Sequence, residues 1–149
     1  MNFLKNAKFH SVMVPSTGTT TLQSTAVLDM TGYDSVMWVA QFSGNTNSTG
    51  GFGGVYYMHS DDTGTGDQVG STATAAISTS IPAIDNTLYV LDVHKPLKRY
   101  VSAMIYKDTA NDCDAALMAI QYNSSLGPVT QPSTSAGVIN SGVFVSPTT

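Results

Sequence analysis

The chain contains no glutamate; all ten of its acidic residues are aspartate. Glutamate is a good former of exposed helix, whereas aspartate, serine, threonine, asparagine and glycine compete with the helical backbone or lose entropy in it. The absence therefore removes the usual material of solvent-facing helices and leaves that of strands and turns. Charge of either sign is scarce, at 11% of residues against the usual ~25%. Basic residues are the scarcest, six in all, and the net charge is −4. That balance excludes nucleic acid as the main partner, since phosphate binding needs a basic field. One local exception stands out: His94, Lys95, Pro96, Leu97, Lys98 and Arg99 hold three of the six cations.

Cysteine is nearly absent as well. A single Cys113 allows no intrachain disulfide, so the fold does not depend on an oxidising compartment. Long hydrophobic runs are missing. The longest spans residues 115–120, far short of the ~20 residues of a membrane helix. The opening residues MNFLKN carry no signal-peptide core. The expectation is a soluble protein made in the cytosol, with no membrane partner.

What is present is enough for one core. The chain has 149 residues, 42% of them hydrophobic, and a domain of this size buries roughly two-thirds of its unfolded surface. Apolar residues recur with period two. Residues 9–14 form one such run and 21–30 another. Residues 35–42 form the clearest, with Val36, Trp38, Ala40 and Phe42 on one face and Met37 and Val39 on the other. Apolar residues on both faces mark a central or covered strand. Residues 55–59, 69–81, 88–93 and 100–106 read as further strands. Asp29 to Asp34 reads as a tight connection around Gly32. Residues 43–54 and 61–67 read as loops.

Residues 112–122 admit two readings. Asp112 could cap a helix burying Cys113, Ala116, Leu117 and Ile120; a strand would align Cys113, Ala115, Leu117 and Ala119. The strand-rich context favours the strand, joined to residues 100–106 by a hairpin at 107–111. Beyond Tyr122 proline and glycine punctuate the chain. The expectation is an all-β, single-domain β-sandwich of jelly-roll kind over residues 1–125, with about eight short strands. Residues 126–149 are expected to form an extended arm that lies on a neighbouring subunit.

No catalytic constellation emerges. A nucleophilic triad needs a Ser, Cys or Thr beside a His held by a carboxylate, and His10, His59 and His94 are scattered over separate strands. Cys113 reads as a core or interface residue. Asp61, Asp62 and Asp67 resemble an oxygen-rich calcium loop, but no glutamate closes it, and a solvated loop is the simpler reading. The expectation is no enzyme, no cofactor and no metal. Suspected partner contacts are the basic segment, through His94, Lys95, Lys98 and Arg99, and the aromatics Phe52, Tyr56 and Tyr57, because tyrosine is enriched at interfaces.

Three stretches carry a resemblance. LDMTGYDSV at residues 28–36, LYVLDVHKPLKRYV at 88–101 and AIQY at 119–122 resemble small structural proteins of tailed bacteriophages, in particular head decoration (cement) proteins. The likeness runs from about Thr25 to Tyr122, roughly two-thirds of the chain, and its motifs are structural. It implies a virion protein on the capsid exterior, produced in the host bacterial cytoplasm, binding the major capsid protein and itself as a homotrimer. Other readings are a head–tail connector or tail component and, from a different class, a carbohydrate-binding adhesin module.

Overall fold

The computed structural model describes residues 6–16, 22–24, 27–43, 52–63, 76–80, 87–107 and 114–125. Nine strands form among them: β1 (Lys8–Ser16), β2 (Leu22–Ser24), β3 (Leu28–Asp29), β4 (Tyr33–Ser43), β5 (Phe52–Ser60), β6 (Ala76–Ser80), β7 (Thr87–His94), β8 (Tyr100–Lys107) and β9 (Asp114–Ser124). They build two antiparallel sheets. One has the order β1-β9-β4-β7, the other β2-β8-β5-β6, with β3 also on β8. A one-residue shift in register on β8 separates β2 from β3, so the two act as one interrupted strand. Two packed sheets with this crossing order, one of four strands and one of five when β3 is counted, are a jelly roll.

The core lies between the sheets. Trp38, Phe42, Ile105, Leu117, Val36, Val55 and Val101 are its largest fully buried apolar side chains, each contributing about 1.5–3 kcal/mol by leaving water. The alternation of 35–42 is realised as expected: Val36, Trp38, Ala40 and Phe42 point inward. Phe42 meets Tyr89 of β7 edge to face, ring centroids 5.2 Å apart.

Residues 114–124 are strand, not helix. The expected hairpin with residues 100–106 does not form. β9 instead crosses to the other sheet and lies between β1 and β4, pairing Phe9 with Ile120 and Trp38 with Ala119. The physical reason is its two apolar faces: Leu117 and Ala119 fill the core while Met118 and Ile120 point the other way, which suits an interior strand. The loop expected over 43–54 is shorter at its far end, because Gly53 and Gly54 already pair with β6 and β8. Cys113, Asp67 and the expected arm at 126–149 lie outside the described residues.

The connection from β3 to β4 turns a corner between the two sheets. Gly32 takes a φ of 85°, a conformation open to glycine. The Asp29 carboxylate accepts bonds from the Thr31 amide at 2.9 Å and its hydroxyl at 2.7 Å, and the Tyr33 amide donates to the Met30 carbonyl at 2.9 Å.

Candidate docking surface

The basic segment follows β7 and packs beside that corner. Arg99 grips Asp29 with two parallel bonds, Nε to Oδ1 at 2.9 Å and Nη2 to Oδ2 at 2.7 Å. The guanidinium, together with Thr31, holds the Asp29 carboxyl well below the usual carboxylate range. Lys98 forms an ion pair with Asp61. The Lys95 amide donates to the Asp34 carbonyl at 2.7 Å, and Lys95 itself sits at a φ of 50°. Two of the three expected cations are thus neutralised within the chain, and the segment is a braced corner rather than an open positive patch. Besides the exposed His94, Lys95 and Arg99 it presents outward Leu97, 85% exposed.

His94 lies at the end of β7, in register with Ser35 of β4, whose other neighbour is Tyr122 of β9. Its Nδ1 is 2.7 Å from the Ser35 hydroxyl, and Asn123 donates to the same oxygen at 3.3 Å. This is a serine beside a histidine, which the sequence did not place together. Ser35 is fully buried and its oxygen is already shared, so the pair ties three strands together instead of presenting a nucleophile. Beside it the Tyr122 hydroxyl donates to Asp92 at 2.5 Å. Burial, then the Asp92 carboxylate, push that phenol up.

The aromatics divide. Tyr57 is 4% exposed and belongs to the core, with burial pushing its phenol up to about 12. Its hydroxyl is 3.4 Å from Nδ1 of the buried His59. As a partner contact Tyr57 is therefore corrected: it packs inward because it shares a face with Val55. Tyr56 points to the opposite face and is half-buried. Phe52 opens β5, paired through its backbone with Ser80. Asp61 is engaged by Lys98, and the Asp62 amide donates to the Ser60 hydroxyl at 3.2 Å. Among the described residues no three His, Cys, Asp or Glu side chains converge as metal ligands would.

The surface that sequence reasoning passed over is the outer face of the β1-β9-β4-β7 sheet. Register lines up Phe9, Ile120, Met37 and Asp92 in one row, then Ser11, Met118, Val39 and Val90, then Ala116, Gln41 and Leu88. Leu88 is 60% exposed, Val90 44% and Met118 42%. Asp92, Ser11 and Gln41 are the polar members of these rows; the exposed large apolar ones, Leu88, Val90 and Met118, sit on the two later rows, and an exposed apolar cluster of this kind is often functional. A shallow depression of about 230 Å³ between Leu88, Val39 and Met118 lies within it. The signal was in the sequence: Met37 and Val39 on the second face of 35–42, and Leu88 and Val90 in a run that alternates only loosely. The other sheet differs. Met58, Ser60 and Ser102, on its outward side by register, are buried.

No protein-family model matches the chain, and no curated protein sequence matches it. Similar folds do occur among solved structures. The PBSX exported protein XepA superposes with a TM-score of 0.56 at 14% identity, over 98% of this chain and 46% of that one. The chain thus spans less than half of that protein's length. A protein of the Bacillus endospore appendages, described as disulfide-linked pili, gives a TM-score of 0.45 at 14% identity, over 81% of this chain and 91% of that one. A chain of the heated full particle of Israeli acute paralysis virus gives 0.41 at 14% identity, over 97% of this chain and 80% of that one. At such identities the first of these speaks for the fold.

Proposed function

We propose that this chain is a structural virion protein that binds the outer surface of a phage capsid and stabilises the head, as a decoration (cement) protein. The observation that carries the reading is the apolar outer face of the β1-β9-β4-β7 sheet, with Leu88, Val90 and Met118 open to solvent. A rigid sandwich that leaves one sheet uncovered is suited to adhesion, and the role calls for no catalytic group, cofactor or metal. The fold likeness to an exported protein of the phage PBSX and the resemblance of residues 28–36, 88–101 and 119–122 support the same reading.

The mechanism is mass action. A protein that binds the assembled shell but not its free subunits shifts the equilibrium toward the shell. Attachment as a homo-oligomer, a trimer in the form the resemblance implies, multiplies weak contacts through effective concentration. The test is co-sedimentation of the purified protein with heads that lack it, followed by imaging of the particles. Density over the shell and heads that resist heating support the role. Density at the portal vertex selects the connector reading, and glycan binding without affinity for heads selects the adhesin.

A further inference from the structure

The four outer strands of the two sheets are not equally protected against pairing with another chain. An edge strand presents unpaired backbone amides and carbonyls, and natural proteins guard such edges with proline, lysine, bulges or extreme shortness. β1 is guarded in three ways. It contains Pro15, begins at Lys8, and breaks register against β9 twice, between Ser11 and Met13 and between Met13 and Ser16. β2 and β3 are three and two residues long. β6 has five residues.

β7 has none of these devices. Its eight residues, TLYVLDVH, include no proline, glycine or lysine. They pair with β4 in eight consecutive matched positions without a register shift. No strand lies on its other side among the described residues. Its outward side chains, Leu88 and Val90, are the exposed apolar ones.

We propose that β7 is a self-association strand, which pairs antiparallel with β7 of a second copy across a two-fold axis. The two four-stranded sheets then become one of eight strands, and their apolar outer faces join into a continuous surface. Two observations commit the occupant to a second copy. Among the described residues the outer edge of β7 has no strand on it, and the same edge of a second copy is a matching partner. Charge permits it: Asp92 is the only carboxylate on the strand, and registers that set Asp92 against Val90 or Leu88 avoid repulsion between like charges. Such a contact is isologous and closes at two. It goes beyond the virion reading, and it links either two free chains or, in a trimer, each chain with one chain of a second trimer.

The experiment is sizing by sedimentation equilibrium of the full chain, with hydrogen exchange read on β7. Val90→Lys and Leu88→Lys place lysine on the edge. Both side chains already face water, and circular dichroism verifies the fold. Met118→Lys places the same charge on the outer face, two strands away. The expected result is dimers, or trimers doubled to hexamers, with slow exchange in β7. Val90→Lys raises the dissociation constant at least about tenfold and exposes the β7 amides, while Met118→Lys changes neither. A chain that is monomeric or purely trimeric at about 100 µM overturns the proposal. So does Met118→Lys being as disruptive as Val90→Lys, which would mean packing through the faces. Loss of capsid binding with pairing intact would count against the virion role alone.

Discussion

Trp38 shows what a single residue contributes here. It is fully buried at the centre of β4, and its indole N–H finds no hydrogen-bond partner among the described residues. Truncation to alanine opens a large cavity, and Trp38→Ala should lower stability by about 3–5 kcal/mol, read from urea unfolding by circular dichroism. Two other residues set the response to acid. Burial pushes the His10 imidazole below its usual value, against a raising bond from Gln121 and with Lys8 adding to the depression. A depressed folded pKa means that its contribution is complete above the unfolded value, about 6.5, and is lost as pH falls through the lower folded value. Asp29, depressed chiefly by Arg99, acts likewise below about pH 4. Melting temperature should therefore fall in two stages on acidification. His10→Asn should flatten the first and Asp29→Asn the second. The sequence marked Asp29 as a turn residue through its neighbour Gly32. The bond to Arg99, seventy positions away, had no local signal.

Among the elements, β9 was the hardest to read and the most informative. Alanine, leucine and methionine in 112–122 carry helix propensity, and it was the strand-rich context that tipped the reading to a strand. Its partners were illegible because this fold sends β8 and β9 to opposite sheets, and a short linker looks the same whether it makes a hairpin or a crossing. The basic corner followed the strand read at 88–93, and Pro96, which cannot donate to a ladder, fits a strand end there; its ion pairs were not legible. Lys95 holds a left-handed conformation there, which costs a residue with a Cβ about 1–2 kcal/mol and which asparagine tolerates better. Lys95→Asn should raise stability by about 0.5–1 kcal/mol, measured as a shifted urea midpoint with an unchanged slope.

For the molecule as a whole, composition announced the class: no glutamate, little charge, abundant threonine and glycine. Counting strands was nearly sufficient for the jelly roll, because a chain of eight or nine short strands with one core has few ways to close. The docking surface was less legible, since an outward apolar residue on a half-covered strand has the same sequence pattern as an inward one. The topology also fixes a kinetic expectation. β1 pairs with β9, setting Lys8 opposite Gln121, so the first sheet cannot finish until the two ends of the domain meet. Folding dominated by such distant pairings takes milliseconds to seconds, which stopped-flow fluorescence of the single Trp38 should report.

The methionines add a chemical consequence. Met30 and Met58 are buried, while Met118 stands open in the middle of the uncovered sheet. Peroxide converts an exposed thioether to a polar sulfoxide, so mass spectrometry should find Met118 modified well before the other two. Each added oxygen lands on the surface proposed to adhere. Oxidative ageing would therefore loosen attachment before it touched the core, and methionine sulfoxide reductase, acting on a site it can reach, would restore it.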